Sequence, residues 1–211
     1  MLYSGQEPSR RGRPSSPFKR AMMFVCMTIA LRRLETPGVV NGADPSEPDE
    51  ENSDYFFACS GGDLSKVKTL LQKDPSLVHK TTKSGEHCLH LCALEGATDI
   101  AQLLLDAGAD PNIRSTWEQG LRMHPLSWST FYGRHEIVEL LLKYGADVNA
   151  DFDLGTPDAF GNNKKGTVLD VIEQILIGIT DEGEKDRFLK TRNVLVRYSA
   201  ARYAPTEEQE L

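Results

Sequence analysis

The sequence has few cysteines and no long hydrophobic run. Its 211 residues include four cysteines, which lie within apolar patterns and not in a regularly spaced framework: Cys26, Cys59, Cys88 and Cys92. This usage is typical of a reducing compartment, where cysteine acts as a small buried hydrophobe. No apolar stretch approaches the roughly 18 to 20 residues that a membrane-spanning helix requires. We therefore expect a cytoplasmic protein without a membrane span.

Positive charge is scarce beyond the first 34 residues. The net charge at pH 7 is −7, but residues 1–34 hold seven Lys or Arg and one Glu, a local charge of +6, which leaves −13 for the rest. A surface that binds nucleic-acid phosphates needs a stripe of basic side chains. The acidic body therefore argues against a nucleic-acid partner.

Motifs for catalysis are also scarce. The chain has no Gly-rich phosphate loop. Ser127, His124 and Asp147 contain the groups of a catalytic triad, but nothing in their spacing brings them together. Cys92 occupies a position that we predict to be buried, where a thiol is inert. We expect no enzymatic activity, no catalytic residue and no cofactor.

Two stretches offer metal ligands. The first contains His87, Cys88, His90 and Cys92 within six residues, but one helical turn does not easily present four ligands at tetrahedral angles. The second, residues 151–155, is similar to the start of a calcium loop but lacks the glycine and the final glutamate at their expected positions. We expect structural roles for both stretches and no metal site.

What the chain does contain is a repeated pair of short helices. Residues 85–112 combine a helix of small apolar residues with a second helix that has apolar side chains at helical spacing. A glycine ends each helix, Gly96 and then Gly108. The scheme recurs 37 residues later, with Gly133 and Gly145 at the same places. Neither helix buries its apolar face alone, so this period predicts a stacked solenoid.

These residues resemble the ankyrin repeat, whose usual form reads G-x-T-P-L-H-L-A-A-x-x-G-H-x-x-I-V-x-x-L-L-x-x-G-A-D-V-N. The resemblance is strongest over residues 84–150 and extends, with an atypical first copy and a fourth copy, over residues 53–203. It implies an all-α ankyrin-repeat solenoid of about four helix-turn-helix repeats. It also implies structural roles for a set of repeat residues: His90, Gly96, Gly108, Asp110, Asn112, Gly133, Gly145, Asp147 and Asn149.

The ends of the chain are expected to differ from the repeats. We interpret residues 1–52 as a disordered, basic segment followed by an acidic linker, and residues 204–211 as a flexible tail. The apolar run Ala21 to Leu31 is flanked by Lys and Arg. It fits an organelle transit peptide better than a secretory signal, because a small-residue cleavage site is absent. The alternatives are a helix that docks on the solenoid and translation that begins at Met22 or Met23.

The closing helix is predicted over residues 184–202. We expect five of its apolar residues to point inward: Phe188, Leu189, Leu195, Val196 and Tyr198. The basic side chains among them would then form a polar lid on the last repeat.

The resemblance implies that the protein binds another protein, with loop tips and first helices facing the partner. Six residues are our candidates for contact: Trp117, Leu121, Arg122 and Met123 in an insertion, and Phe131 and Tyr132 at variable positions of the third repeat. Tyrosine, tryptophan and arginine are the residue types that most often anchor interfaces. Trp128 replaces a repeat leucine and is predicted to be core. We expect a monomer; the alternatives are a regulatory subunit of an enzyme complex and a redox or metal sensor that uses Cys88 and Cys92.

Overall fold

The described part of the chain consists of four successive pairs of helices. The computed structural model describes residues 52–82, 85–116, 122–153 and 165–200. The helices in these ranges are α1 (Ser53–Gly61), α2 (Leu64–Lys73), α3 (Cys88–Glu95), α4 (Thr98–Asp106), α5 (Pro125–Phe131), α6 (His135–Lys143), α7 (Val168–Gly178) and α8 (Glu182–Arg197). The predicted N-terminal segment up to residue 51, with its targeting alternatives, and the residues after 200 lie outside the described ranges.

Two small elements accompany these helices. A 3-10 helix, Pro75–His79, follows α2. Strands β1 (Phe152–Asp153) and β2 (Lys165–Gly166) form a short antiparallel ladder that pairs Phe152 with Gly166. The fold is therefore the predicted all-α solenoid with a small hairpin between its third and fourth helix pairs.

The helices form two stacked layers. The first helices α1, α3, α5 and α7 contact one another in chain order, and so do the second helices α2, α4, α6 and α8. Each first helix also packs on the second helix of its own pair. Each pair is thus stabilised largely by its neighbours, as expected for a solenoid.

The two layers are buried to different extents. All residues of α5 before Phe131 are buried, because this helix has neighbours on several sides. In α4, by contrast, burial is confined to one face, which includes Ile100 and Leu104. Trp128, predicted to be core, is 2% exposed. The helical spacing of apolar residues therefore predicted the buried face of α4 correctly.

Two of the glycines that end first helices also leave room for an arginine side chain of the next repeat. Gly96 follows α3 with φ of 86°, and an added Cβ would lie 3.2 Å from the Arg134 side chain. Gly133 has φ of 66°, and an added Cβ would lie 3.1 Å from Nε of Arg187. A side chain at either glycine would have to adopt a left-handed backbone and displace an arginine.

The last helix differs from its prediction in bounds and in orientation. It covers Glu182–Arg197 rather than residues 184–202. Phe188 and Leu195 are buried as expected, but Leu189 is 39% and Val196 is 49% exposed. The prediction was wrong for these two because a residue next to a buried one is rotated by about 100° around the helix axis. The remaining candidate, Tyr198, is the C-terminal cap residue of the helix and is half-buried.

The cysteines correct a second prediction. Cys59 near the end of α1 and Cys88 at the start of α3 form a disulfide, with their Cα atoms 5.7 Å apart. The expectation that the cysteines act only as small buried hydrophobes was therefore wrong for these two, because stacking places the two positions side by side. Cys92 is a free, buried cysteine, as predicted. Cys88, which the sensor alternative couples with Cys92, is bonded to Cys59 instead.

Candidate functional site

His90 connects the second repeat to the third. Its Nδ1 accepts a hydrogen bond from the backbone N–H of His87 at 3.0 Å, so its Nε2 carries the proton and donates to the carbonyl oxygen of Met123 at 3.1 Å. Burial, reinforced by the nearby His87, lowers the pKa of His90 to about 3. A neutral imidazole in this position joins two adjacent repeats through its hydrogen bonds.

His124 and Ser127 form a contact that sequence reasoning missed. The Nδ1 atom of His124 lies 2.6 Å from Ser127 Oγ and accepts the backbone N–H of Ser127 at 3.2 Å. The sequence analysis found nothing in the spacing that would bring the candidate triad together, and this was wrong for this pair. The signal was present, since positions three apart at a helix start are those of a capping box.

The geometry of this pair is that of a helix cap. His124 is 2% exposed and Ser127 is 1% exposed, which leaves a substrate no access. Burial lowers the pKa of His124 to about 4, whereas an effective general base has a pKa near the working pH. The third candidate, Asp147, accepts a hydrogen bond from the backbone N–H of Asn149 instead. Thr167 and Asp170 make the equivalent cap on α7.

The tails of the repeats are joined by a second set of hydrogen bonds. Asp110 accepts from the backbone N–H of Asn112 at 2.8 Å, which fixes the turn. Asn112 then donates to the Gly145 carbonyl at 2.9 Å and accepts from the Asp147 N–H at 2.7 Å. Asn149 continues this ladder by donating to the Ser199 carbonyl at 3.4 Å. Because these side chains join each repeat tail to the next, they fix the positions of the adjoining loop tips.

Phe131 and Tyr132 form an aromatic cluster at the end of α5. Both are half-buried. Their rings meet edge to face, with centroids 5.5 Å apart. Tyr132 also stacks on the buried Trp128, with centroids 6.2 Å apart and planes inclined by 10°. Offset-stacked and edge-to-face rings are favourable arrangements, so Trp128 holds a partly exposed aromatic pair in place.

The insertion residues are not all at the surface. Arg122 is exposed and has φ of 46°. Met123 is 2% exposed, so its candidacy as a contact residue was wrong. The bond from His90 to the Met123 carbonyl draws this residue into the core. Trp117 and Leu121 lie outside the described residues.

The candidates omitted three apolar residues on the same row of first helices. Phe57 on α1 is 63% exposed, and Leu91 and Leu94 on α3 are half-buried. They occupy first-helix positions that correspond to Trp128 and Phe131 on α5. Comparing equivalent positions between copies would have found them. We call the partly exposed members of this row, Phe57, Leu91, Leu94, Phe131 and Tyr132, the first-helix row.

The described residues provide little for a metal or a membrane. Within the described ranges, no group of three or more His, Cys, Asp or Glu side chains is placed to hold a metal ion. None of the described helices is both long enough and apolar enough to cross a bilayer.

Comparisons with known proteins agree with this architecture. A family model for ankyrin repeats (3 copies) matches residues 38–115 and 55–151. The chain is 35% identical over 97 residues to a probable E3 ubiquitin-protein ligase XBOS33 from Oryza sativa subsp. japonica, covering 45% of this chain and 18% of that protein. It is 31% identical over 106 residues to ankyrin repeat and SAM domain-containing protein 6 from Rattus norvegicus, covering 49% and 11%.

A third relative also matches this chain over only part of its length. It is the serine/threonine-protein kinase VIK from Arabidopsis thaliana, 32% identical over 83 residues, covering 39% of this chain and 18% of the kinase. The alignments thus cover under a fifth of the length of these three relatives.

The stacked helix pairs, the glycines that end the helices and the bonded repeat tails define a helical repeat protein. The chain belongs to the ankyrin repeat family. An ankyrin repeat domain is in general a non-catalytic interaction module.

Proposed function

We propose that this chain is a non-catalytic binding module whose partner, another protein, contacts the aromatic pair Phe131 and Tyr132. The observation that carries the proposal is the position of this pair, which is partly exposed yet held by the buried Trp128. An anchored aromatic side chain loses little conformational freedom when a partner binds, so more of its contact energy contributes to affinity.

The surroundings of the pair extend the proposed surface. Leu91 and Leu94 lie on α3, which packs directly against α5. Both are half-buried, so part of their apolar area is accessible on the helix next to α5. Arg122 supplies an exposed cation from the loop before α5. Apolar residues with an arginine beside them are the composition of an interface centre. The insertion residues Trp117 and Leu121 belong to the same proposal on sequence grounds.

Substitution of the aromatic pair tests this surface. The wild-type chain captures proteins from an extract of its source cell, mass spectrometry identifies the main bound chain, and its affinity is then measured with purified components. We expect Tyr132→Ala and Phe131→Ala each to weaken this affinity by roughly thirtyfold, about 2 kcal/mol for a central anchor. The melting temperature, measured in parallel, should change by only a few degrees.

Tyr144 provides the matched control. It is a partly exposed tyrosine of the same repeat, but it caps the second helix α6, away from the first-helix row. Its hydroxyl contacts Asp106 and Gln102. Tyr144→Ala should therefore leave the affinity within about twofold, as expected for a residue outside an interface. Intact binding by the Tyr132 variant, together with a large loss of stability, would show that the aromatic pair only fills space between helices.

A further inference from the structure

The first repeat lacks the cap that the other repeats use. Helices α3, α5 and α7 each begin with a side chain hydrogen-bonded to backbone N–H across three residues, as at His87 and His90. Within the described residues, Asn52 makes no side-chain capping hydrogen bond to α1. A missing cap leaves the first turn of a helix less stable. Helix α1 therefore lacks the side-chain capping contribution that α3, α5 and α7 have at their first turns.

The tail of the first repeat is also different. Between the second and third repeats, Asn112 bridges two tails through Gly145 and Asp147. In the first repeat Asp74 accepts instead from the backbone N–H and the hydroxyl of its near neighbour Ser76, at 2.9 and 2.7 Å. These bonds stabilise a local turn and contribute nothing to the contact with the second repeat.

A covalent bond joins the first repeat to the second at this junction. The disulfide joins Cys59 on α1 to Cys88 on α3, and it connects positions 29 residues apart. Its cysteines are 0% and 2% exposed, so a reductant reaches the sulfur atoms only after α1 separates from α3. Cys92, one turn beyond Cys88, is also fully buried, and burial raises the pKa of its thiol. The Cys92 thiol therefore stays protonated and unreactive while the repeats are stacked.

We propose that docking of the first repeat on the second is controlled by the thiol–disulfide state of Cys59 and Cys88. A dithiol supplies two electrons and two protons, closes to its own disulfide, and leaves Cys59 and Cys88 as two thiols. Without the cross-link, α1 and α2 open from the stack more often, while α3 to α8 keep their cap and tail bonds. Because a loop of this size is closed by the disulfide, the opening equilibrium shifts by on the order of a hundredfold.

Hydrogen exchange of the full chain with and without a dithiol tests this proposal. Peptide mapping of the air-oxidised protein should first recover the peptide that links Cys59 to Cys88. Reduction should then accelerate amide exchange in α1 and α2 by on the order of a hundredfold. Exchange in α4 and α6 should stay within about twofold of the oxidised protein, because those helices are outside the closed loop.

Two variants give independent measurements. The double variant Cys59→Ala, Cys88→Ala should exchange like the reduced wild type without any reductant. Cys92→Ala removes a neighbouring buried thiol but keeps the disulfide, so it should still respond to the dithiol. If the double variant does not fold, chemical reduction of the wild type still gives the answer. Equal exchange of α1 and α2 in both redox states, acceleration spread evenly over all helices, or failure to recover the linked peptide would each overturn the proposal.

Discussion

Mild acid should destabilise the folded chain through its buried histidines. His90 and His124 have folded-state pKa values of about 3 and about 4 because burial disfavours their charged forms. In the unfolded chain each has a pKa of about 6.5. At pH values between the folded and unfolded pKa, the histidines bind protons in the unfolded state but not in the folded state. The free energy of unfolding should therefore be nearly unaffected above about pH 6.5 and should fall as the pH drops through 6.5. The fall should continue to about pH 4 for His124 and to about pH 3 for His90.

The size of this effect follows from the two pKa values. For each of the two histidines, every pH unit below 6.5 lowers the free energy of unfolding by about 1.4 kcal/mol. At pH 5 each histidine therefore contributes a loss of about 2 kcal/mol, and the two together about 4 kcal/mol. His87, whose pKa burial also lowers, acts in the same direction. Glu86 acts in the opposite direction, because burial raises its pKa and acid removes its charge. The loss from His90 and His124 alone would be a large share of a stability of about 5 to 15 kcal/mol.

Urea unfolding followed by circular dichroism at pH 7, 6 and 5 measures this loss. The informative variant is His124→Asn, because asparagine also caps helices but does not titrate in this range. Its stability should fall by about 2 kcal/mol less than that of the wild type between pH 7 and pH 5, whatever its value at pH 7. Equal pH dependence in the two proteins, or greater stability at pH 5 than at pH 7, would refute the assignment of neutral buried histidines.

Two further predictions test the packing, both by urea unfolding at pH 7. Leu195→Ala should lower the free energy of unfolding by about 2 to 5 kcal/mol, because the side chain is fully buried. Leu189→Ala, on a more exposed face of the same helix, should lower it by under about 1 kcal/mol. Equal losses for the two variants would contradict the observed orientation of α8. Gly96→Ala should lower the free energy of unfolding by more than about 1 kcal/mol, because φ is 86° and the new Cβ contacts Arg134. Gly61→Ala, with open space around it, should leave the free energy of unfolding unchanged or raise it slightly. Similar values for the two variants would show that the left-handed backbone at Gly96 is not required.

The sequence was most informative where structure depends on neighbours along the chain. The glycine stops at Gly96 and Gly133 were predictable because a left-handed residue ends a helix through local geometry. Buried helix faces such as Ile100 and Leu104 follow from a period of 3.6 residues. The wrong assignment of Leu189 came from counting apolar residues in α8 without placing them around the helix axis.

Contacts between repeats were harder to predict. The bond between Cys59 and Cys88 depends on how α1 stacks on α3, which no local pattern contains. Met123 is in an insertion and was expected to be exposed, but His90, 33 residues away, bonds to its carbonyl. The capping contact of His124 is local, yet histidine is not one of the usual capping residues. These three contacts were not predicted for one reason: the repeat consensus specifies neither the bonding partners of Cys59 and Met123 nor a capping role for histidine.

Position in the stack determines what an equivalent residue does. Phe57, Leu91 and Trp128 occupy the same place in the first three repeats, yet Phe57 is 63% exposed, Leu91 is half-buried and Trp128 is 2% exposed. Helix α1 has one neighbouring first helix among the described elements, whereas α5 lies between α3 and α7. A large side chain at this place therefore adds to the core in the third repeat but presents apolar surface in the first. Aromatic surface in this family member thus depends on which repeat carries the residue as well as on its type, and the first repeat presents such surface at the end that the disulfide holds in place.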